Sequence, residues 1–182
     1  MFTLDIDQEL RLALIQPSFA KTYYDIVAQQ RTYLSQWLAW PEHADGEGFF
    51  LSFIQTSLQN YAAGKSLTCS VIFSGQIVGT VSFNSIDHNL KKVEIGYWLR
   101  EDYQGRGIMT RVVRKLIEVA FEEYHMEKVE IAAAEGNKAS RSLCERLGFT
   151  LEGIITRAEN LNGRIVDHAI YGLAKSHVTD SK

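Results

Sequence analysis

The 182-residue sequence holds only two prolines, Pro17 and Pro41, and two cysteines, Cys69 and Cys144. With so little proline and no Pro/Gly/Ser-rich stretch there is no linker, and residues 1–182 read as one domain. Two cysteines without close spacing form neither a disulfide framework nor a metal knuckle. The default compartment is then a reducing cytoplasm. No apolar run approaches the roughly 20 residues of a membrane span. The start, MFTLDIDQELRL, carries acidic residues where a secretory leader carries basic ones. Positive charge is not in excess: 19 Lys and Arg against 22 Asp and Glu leave a net charge of −3. Coating of nucleic acid and attachment to a membrane surface are therefore not expected. The five histidines, His43, His88, His125, His168 and His177, share no metal-ligand spacing with another His, Cys or carboxylate, so no metal is expected.

What is abundant is apolar sequence, 46% of the chain, enough for one sizeable core. Leu10–Gln16 alternates as a strand does. Pro17 and Ser18 open a helix, with Ser18 as its N-cap, and helix formers continue over 19–40 up to Pro41. Residues 47–63 read as a second amphipathic helix. Leu67–Phe73 and Gln76–Ile86 around Ser74-Gly75 read as a hairpin, and Val93–Leu99 as a further strand. After a glycine-rich turn at 104–107 comes a helix with Val112, Val113, Leu116, Ile117, Ala120 and Phe121 on one side. Lys128–Ala133 reads as a buried strand. A helix starts near Asn137 and closes at Gly148. Two last strands turn at Asn162-Gly163. Hairpins imply antiparallel pairs and strand–helix–strand steps imply parallel crossovers. The expectation is a mixed α/β sheet flanked by helices on both faces.

The most informative segment is Val93–Thr110, VEIGYWLREDYQGRGIMT. A strand runs into a turn with two glycines, and a long helix begins. Unpaired backbone N–H groups point out of a helix start, and the helix dipole adds about half a positive charge there. Together they suit phosphate oxygens. Gly105 and Gly107 keep side chains away from an approaching pyrophosphate, and Arg106 adds charge at the rim. The spacing excludes the nucleotide-hydrolase phosphate loop, which needs Gly-Lys-Ser/Thr, and the dinucleotide fingerprint, which needs a third glycine.

Gln104–Met109 following IGYWL resembles the acetyl-CoA pyrophosphate loop of the GNAT acetyltransferase superfamily. Gln104 and Gly107 match its pattern, and Met109 stands where Gly or Ala is usual. Asn137–Phe149, NKASRSLCERLGF, resembles that family's second signature, and the two lie about 30 residues apart. IGYWL, the loop, Phe149–Gly153 (FTLEG) and Ala158–Gly163 (AENLNG) are similar to the Rim-type ribosomal-protein N-terminal acetyltransferases, above all the serine-acetylating branch. The resemblance implies a mostly antiparallel sheet of about seven strands with splayed central strands, acetyl-CoA as co-substrate, and a homodimer. It further implies that Gln104, Gly105, Arg106, Gly107, Ile108, Met109 and Thr110 hold the diphosphate. The backbones of Tyr97, Trp98 and Leu99, together with Asn137, would hold the pantetheine arm.

Acetyl transfer to an amine needs a neutral nitrogen, a polarised thioester carbonyl and a proton for the departing thiolate. At pH 7 neutralising an α-amine costs about 1.4 kcal/mol and a lysine about 4.6 kcal/mol. An N-terminal amine therefore asks only for a modest base. The resemblance places an acidic residue at the acceptor site, here Glu159, able to take a proton through one water. The second candidate is Glu94, a carboxylate on a central strand. The family's thiolate-protonating tyrosine position is occupied by Cys144, a residue type that more often fills a core. Ser140 matches the serine of the closer branch. No Cys–His pair argues for an acyl-enzyme, so direct transfer in a ternary complex is expected. Trp37, Trp40, Pro41, Phe49, Phe50 and Phe53 read either as the wall of a peptide cleft or as the core of a helical cap. The acceptor is expected to be a protein N-terminus, such as that of a ribosomal protein. The rivals are a small-molecule amine (polyamine, antibiotic or amino acid) and a non-catalytic acetyl-CoA sensor.

Overall fold

Alternation along a strand sends successive side chains to opposite faces, and here both faces are apolar. Leu10 and Leu12 enter one core while Ala13 and Ile15 enter another. Val71 and Ile72 divide in the same way. A sheet carrying two apolar faces must be covered twice, and it is. The computed structural model describes residues 2–176; His177 lies outside them. The elements are β1 (Thr3–Asp5), β2 (Leu10–Leu14), α1 (Ala20–Leu34), α2 (Glu47–Ala62), β3 (Leu67–Phe73), β4 (Gln76–Asp87), β5 (Lys92–Leu99), α3 (Ile108–Glu118), β6 (Lys128–Ala134), α4 (Lys138–Arg146), β7 (Thr150–Leu161) and β8 (Arg164–Ala174). Helices α3 and α4 fill one core, and α1 and α2 fill the other.

The sheet has eight strands in the order β1-β2-β3-β4-β5-β6-β8-β7. The additional strand is β1, whose three residues pair with Arg11–Ala13. Three residues are too short to show a period, which is why the sequence pattern passed over it. Every pair is antiparallel except β5 with β6. The second expected crossover, from β6 through α4, delivers β7 to the sheet edge, and β8 returns between them. The last hairpin turns at Asn162 (φ 55°) and Gly163 (φ 91°), the left-handed pair that a tight two-residue turn requires.

Two helix boundaries differ from expectation. Ser18 is not an N-cap; it accepts a hydrogen bond from the Gln16 side chain inside a short 3₁₀ turn over Pro17–Phe19. The helical stretch over 19–40 stops at Leu34, and Trp40–His43 forms a separate 3₁₀ turn. Arg31 fixes this corner by donating to the carbonyl oxygens of Pro41 and Ala44.

Candidate active site

The parallel pair β5–β6 is joined only at Lys92–Lys128, Val93–Val129 and Glu94–Glu130. Beyond Glu94 the strands part, leaving a V-shaped gap between Ile95–Leu99 and Ile131–Ala134. On the other side, β5 stays paired to β4 up to Gly79–Leu99. The Arg100 amide donates to Val78 O at 2.8 Å. Antiparallel strands alternate between bonded and non-bonded pairs, so Gly96, Trp98 and Arg100 direct their amides to β4. The Ile95, Tyr97 and Leu99 amides face the gap. Of the three backbones expected to hold an extended ligand, Tyr97 and Leu99 are open to it, and Trp98 is turned away.

At the open end of β5 the chain forms the loop Gln104–Gly107, all of it exposed. Gly105 (φ 72°) and Gly107 (φ 67°) adopt the left-handed region that other residues enter at a cost, and a Cβ on either would meet open space. Among the described residues, the amides of 105–110 find no acceptor in the chain; the first turn of α3 closes with Arg111 N on Gly107 O. These are the donors an oxyanion needs. Met109 and Ile108 point into the core, with 7% and 1% of their surface exposed. The Met109 side chain therefore leaves the loop mouth clear, and only its amide matters there.

The loop is braced by α1. Gln30, whose φ/ψ (−122°, 21°) breaks helical geometry, accepts the Glu101 amide and donates to Asp102 Oδ1, both at 2.9 Å. Gln104 donates to the Tyr33 hydroxyl, so its side chain positions the loop. Arg106 donates to Asp102 O and lies over the Tyr103 ring at 4.8 Å. Thr110 Oγ1 is within 3.4 Å of Arg146.

Across the gap, Asn137 caps α4 by accepting the Ser140 amide at 3.2 Å. This places Ser140 Oγ 2.7 Å from the Tyr97 hydroxyl. The hydroxyl pair thus links β5 to the helix that follows β6. Burial pushes the Tyr97 hydroxyl above the usual phenol range, so it remains a proton donor. The family resemblance gives Tyr97 only a backbone role; the signal for its side chain is its alternation with Trp98, which sends the two rings to opposite faces. Cys144 is fully enclosed, and burial pushes its thiol up to about 12. Because it is sealed from the gap, the structure gives Cys144 to the core.

The opposite face of the sheet carries the remaining candidates. Glu94 accepts from Asn84 Nδ2 at 3.1 Å, and Asn84 sits on a β-bulge beside Gly96. Glu94 lies at the closed end of the gap. Glu159 lies elsewhere: on β7 it faces Val166 of β8, and its Oε2 is 3.0 Å from His168 Nε2. His168 pairs with Ala134, the last residue of β6, so this carboxylate–imidazole pair stands where the gap is widest. Trp37 borders the same end, 3.4 Å from where a Gly136 Cβ would be and under the Arg164 guanidinium. Trp40, Phe49 and Phe50 instead pack against one another, stacked or edge-on, Trp40 also meets Trp98, and Pro41 is buried. Phe53 is 39% exposed. The aromatic group thus divides: Trp37 borders the cleft and the others are mostly cap core.

Among the described residues no group of three or more His, Cys, Asp or Glu could hold a metal ion. No helix among them is long and apolar enough to cross a membrane.

The comparisons with known proteins converge on the same reading. Residues 9–150 match the acetyltransferase (GNAT) domain model. The chain is 32% identical over 96% of both chains to a putative ribosomal N-acetyltransferase, YdaF, of Bacillus subtilis. It is 28% identical, over 93% of this chain and 94% of the relative, to the ribosomal-protein-serine acetyltransferase of Escherichia coli. Among solved structures it superposes on RimL, a ribosomal L7/L12 alpha-N-protein acetyltransferase in complex with coenzyme A (TM-score 0.92, 26% identity, 95% and 98% coverage). It also superposes on the microcin C7 self-immunity acetyltransferase MccE in complex with acetyl-CoA and AMP (TM-score 0.88, 33% identity, 93% and 94% coverage). With a splayed central strand pair, an amide-lined loop and these relatives together, the chain belongs to the GNAT family and is an N-acetyltransferase that uses acetyl-CoA as its co-substrate.

Proposed function

We propose that the protein acetylates the N-terminal amine of a protein or peptide, of the kind a ribosomal protein presents, by direct attack in a ternary complex in the cytoplasm. The observation that carries this reading is the carboxylate–imidazole pair Glu159–His168 at the wide end of the gap. It faces away from the α3/α4 side, where the Tyr97–Ser140 hydroxyls stand. Proton removal from the amine and proton delivery to sulfur are thus assigned to opposite faces of one gap. The loop amides of 105–110 hold the diphosphate, and the Tyr97 and Leu99 backbones hold the pantetheine arm. An amide there also polarises the thioester carbonyl. Asn137 supports the arm by holding the start of α4 in place. The Glu159–His168 pair takes the amine's proton; Glu94 is the reserve carboxylate on the same face. Ser140, backed by Tyr97, protonates the thiolate. An acyl-enzyme has no support, because both cysteines are buried. The relatives named for ribosomal proteins favour an N-terminal acceptor. The same reading includes a homodimer, and the exposed Leu151, Ile154, Ile155 and Ile165 on the terminal hairpin are surface available to it.

A small-molecule amine acceptor is the second reading, favoured by the MccE likeness and by the Trp37 ring at the cleft. Thiol release from acetyl-CoA, measured with peptides beginning Ser, Ala or Met, an acetyl-capped lysine peptide and a polyamine panel, separates the two. We expect turnover with the Ser and Ala peptides. Turnover confined to polyamines or other small amines overturns the N-terminal reading, and coenzyme binding without any turnover points to a sensor. Sedimentation equilibrium tests the dimer.

A further inference from the structure

We infer that His168 is the general base of the reaction, with its Nδ1 receiving the amine's proton while Glu159 holds the ring. The inference rests on the acetyltransferase reading above and sharpens one of its roles.

Two observations carry it. Glu159 Oε2 meets His168 Nε2 at 3.0 Å, which fixes that nitrogen as the one bearing hydrogen. Nδ1 then has the free lone pair, and among the described residues no hydrogen bond engages it. A carboxylate that orients an imidazole and stabilises the imidazolium is the arrangement by which hydrolases make an efficient base. The second observation is position. His168 is the more enclosed of the two, its side chain 21% exposed against 34% for Glu159. It stands directly beside Ala134 at the parting of the sheet, whereas Glu159 sits one strand farther out. A base must lie within hydrogen-bond reach of its proton, directly or through one water, and the imidazole is the nearer group.

The pair's charged surroundings favour no other proton acceptor. On β5, Glu94 is bonded to Asn84. On β6, Glu130 is held by Lys92 and Lys128, and the latter also holds Glu152 of β7. Asp167, on the other face of β8, accepts the Arg157 amide. Arg164 covers Trp37 and donates to Gln36 O. Between Ser35 and Ala39 no side chain titrates.

The proton balance closes. The ammonium passes one proton to Nδ1, and the freed lone pair forms the C–N bond. The C–S bond breaks with its electrons on sulfur. The second proton lost by nitrogen is matched by the proton gained by sulfur, leaving amide, thiol and one imidazolium that solvent discharges.

The test compares His168→Ala, His168→Gln and Glu159→Gln with wild type, using the panel amine that turns over fastest. Coenzyme affinity and melting temperature serve as folding controls. We expect both His168 variants to lose kcat by about 100-fold or more, with coenzyme affinity unchanged. Free imidazole restores part of the His168→Ala rate, in proportion to its neutral form. Glu159→Gln loses less than His168→Ala, because it misorients a base that is still present. The acid limb of kcat/KM flattens in His168→Gln. His168→Ala within threefold of wild type, or a loss that imidazole does not restore while Glu159→Gln is the slower variant, overturns the inference and leaves Glu159 as the base. Wild type inert toward every amine removes the reading beneath it as well.

Discussion

The two sides of the gap are built from different materials. The side we assign to the coenzyme is backbone: the amides of 105–110, two left-handed glycines, and the Tyr97 and Leu99 amides, all within Val93–Thr110. The side we assign to the acceptor is side chain, and its parts come from far apart: Trp37, Glu94, Glu159 and His168. A diphosphate is the same in every reaction of such an enzyme, and amides at a helix start bind it whatever the side chains are. An acceptor differs from enzyme to enzyme, and only side chains can be exchanged to meet it. The contrast predicts that changes in backbone freedom act on coenzyme affinity, and that changes in polar side chains act on rate.

The largest effect expected from breaking this contrast is at the hydroxyl pair. Ser140→Ala and Tyr97→Phe each lower kcat by about 100-fold in steady-state assays while the coenzyme Kd stays within twofold of wild type. Cys144→Ala, one turn along the same helix, leaves kcat nearly unchanged. Its thiol, pushed up to about 12, stays protonated and resists iodoacetamide at pH 8 until the protein unfolds. A 100-fold loss in Cys144→Ala with Ser140→Ala unaffected would reverse the assignment.

Next in size is Gly107→Val. A β-branched residue at φ 67° carries a strain of about 1–2 kcal/mol and places atoms at the loop mouth. Calorimetry should show coenzyme affinity lower by at least about tenfold. Arg106→Ala is the paired control: its guanidinium is exposed and already engaged with Asp102 and Tyr103, so the loss should stay under about threefold. If Arg106→Ala weakens binding more than Gly107→Val does, side-chain charge dominates the loop and the contrast fails.

The smallest effect concerns the closed end of the gap, which the Lys92–Glu130–Lys128–Glu152 ladder holds together. Burial alone would raise the Glu130 carboxyl, but hydrogen bonds from Lys128 and Lys92 hold it below the usual carboxylate range. A depressed carboxylate contributes stability above its unfolded pKa, near 4.5, and loses it as pH falls through the folded value. Glu130→Gln should therefore lower stability by no more than about 1 kcal/mol at pH 7, with the difference from wild type fading only as pH falls below the unfolded value of 4.5 and through the lower folded one. Denaturant melts across that range would show it, and a difference that grows toward acid pH would contradict it.

Much of the fold was legible because the signals were local. The hairpin at 74–75, the helix after Gly107 and the tight turn at Asn162-Gly163 each depend on residues a few positions apart. Ser18 misled because a proline turn tightened into a 3₁₀ segment. Strand β1 was invisible at three residues. The insertion of β8 between β6 and β7 depends on which edge is free, which no local pattern encodes. In the candidate site, the loop's bare amides follow from local spacing, whereas Asn137, Ser140 and Glu159 rest on family likeness. The side-chain pairings of Tyr97 and His168 follow from neither, because their partners lie 43 and 9 positions away.

By itself the sequence determined that this chain closes a two-faced mixed sheet and offers bare amides at the start of one helix, since alternation, glycine and helix termini act over a few residues. Only the tertiary structure decided that β5 and β6 part after Glu94, that Cys144 is sealed in the core, and that Glu159 holds His168 beside the opening. Those outcomes depend on which distant segments pack together, a matter of global burial and strand pairing that no short stretch of chain contains.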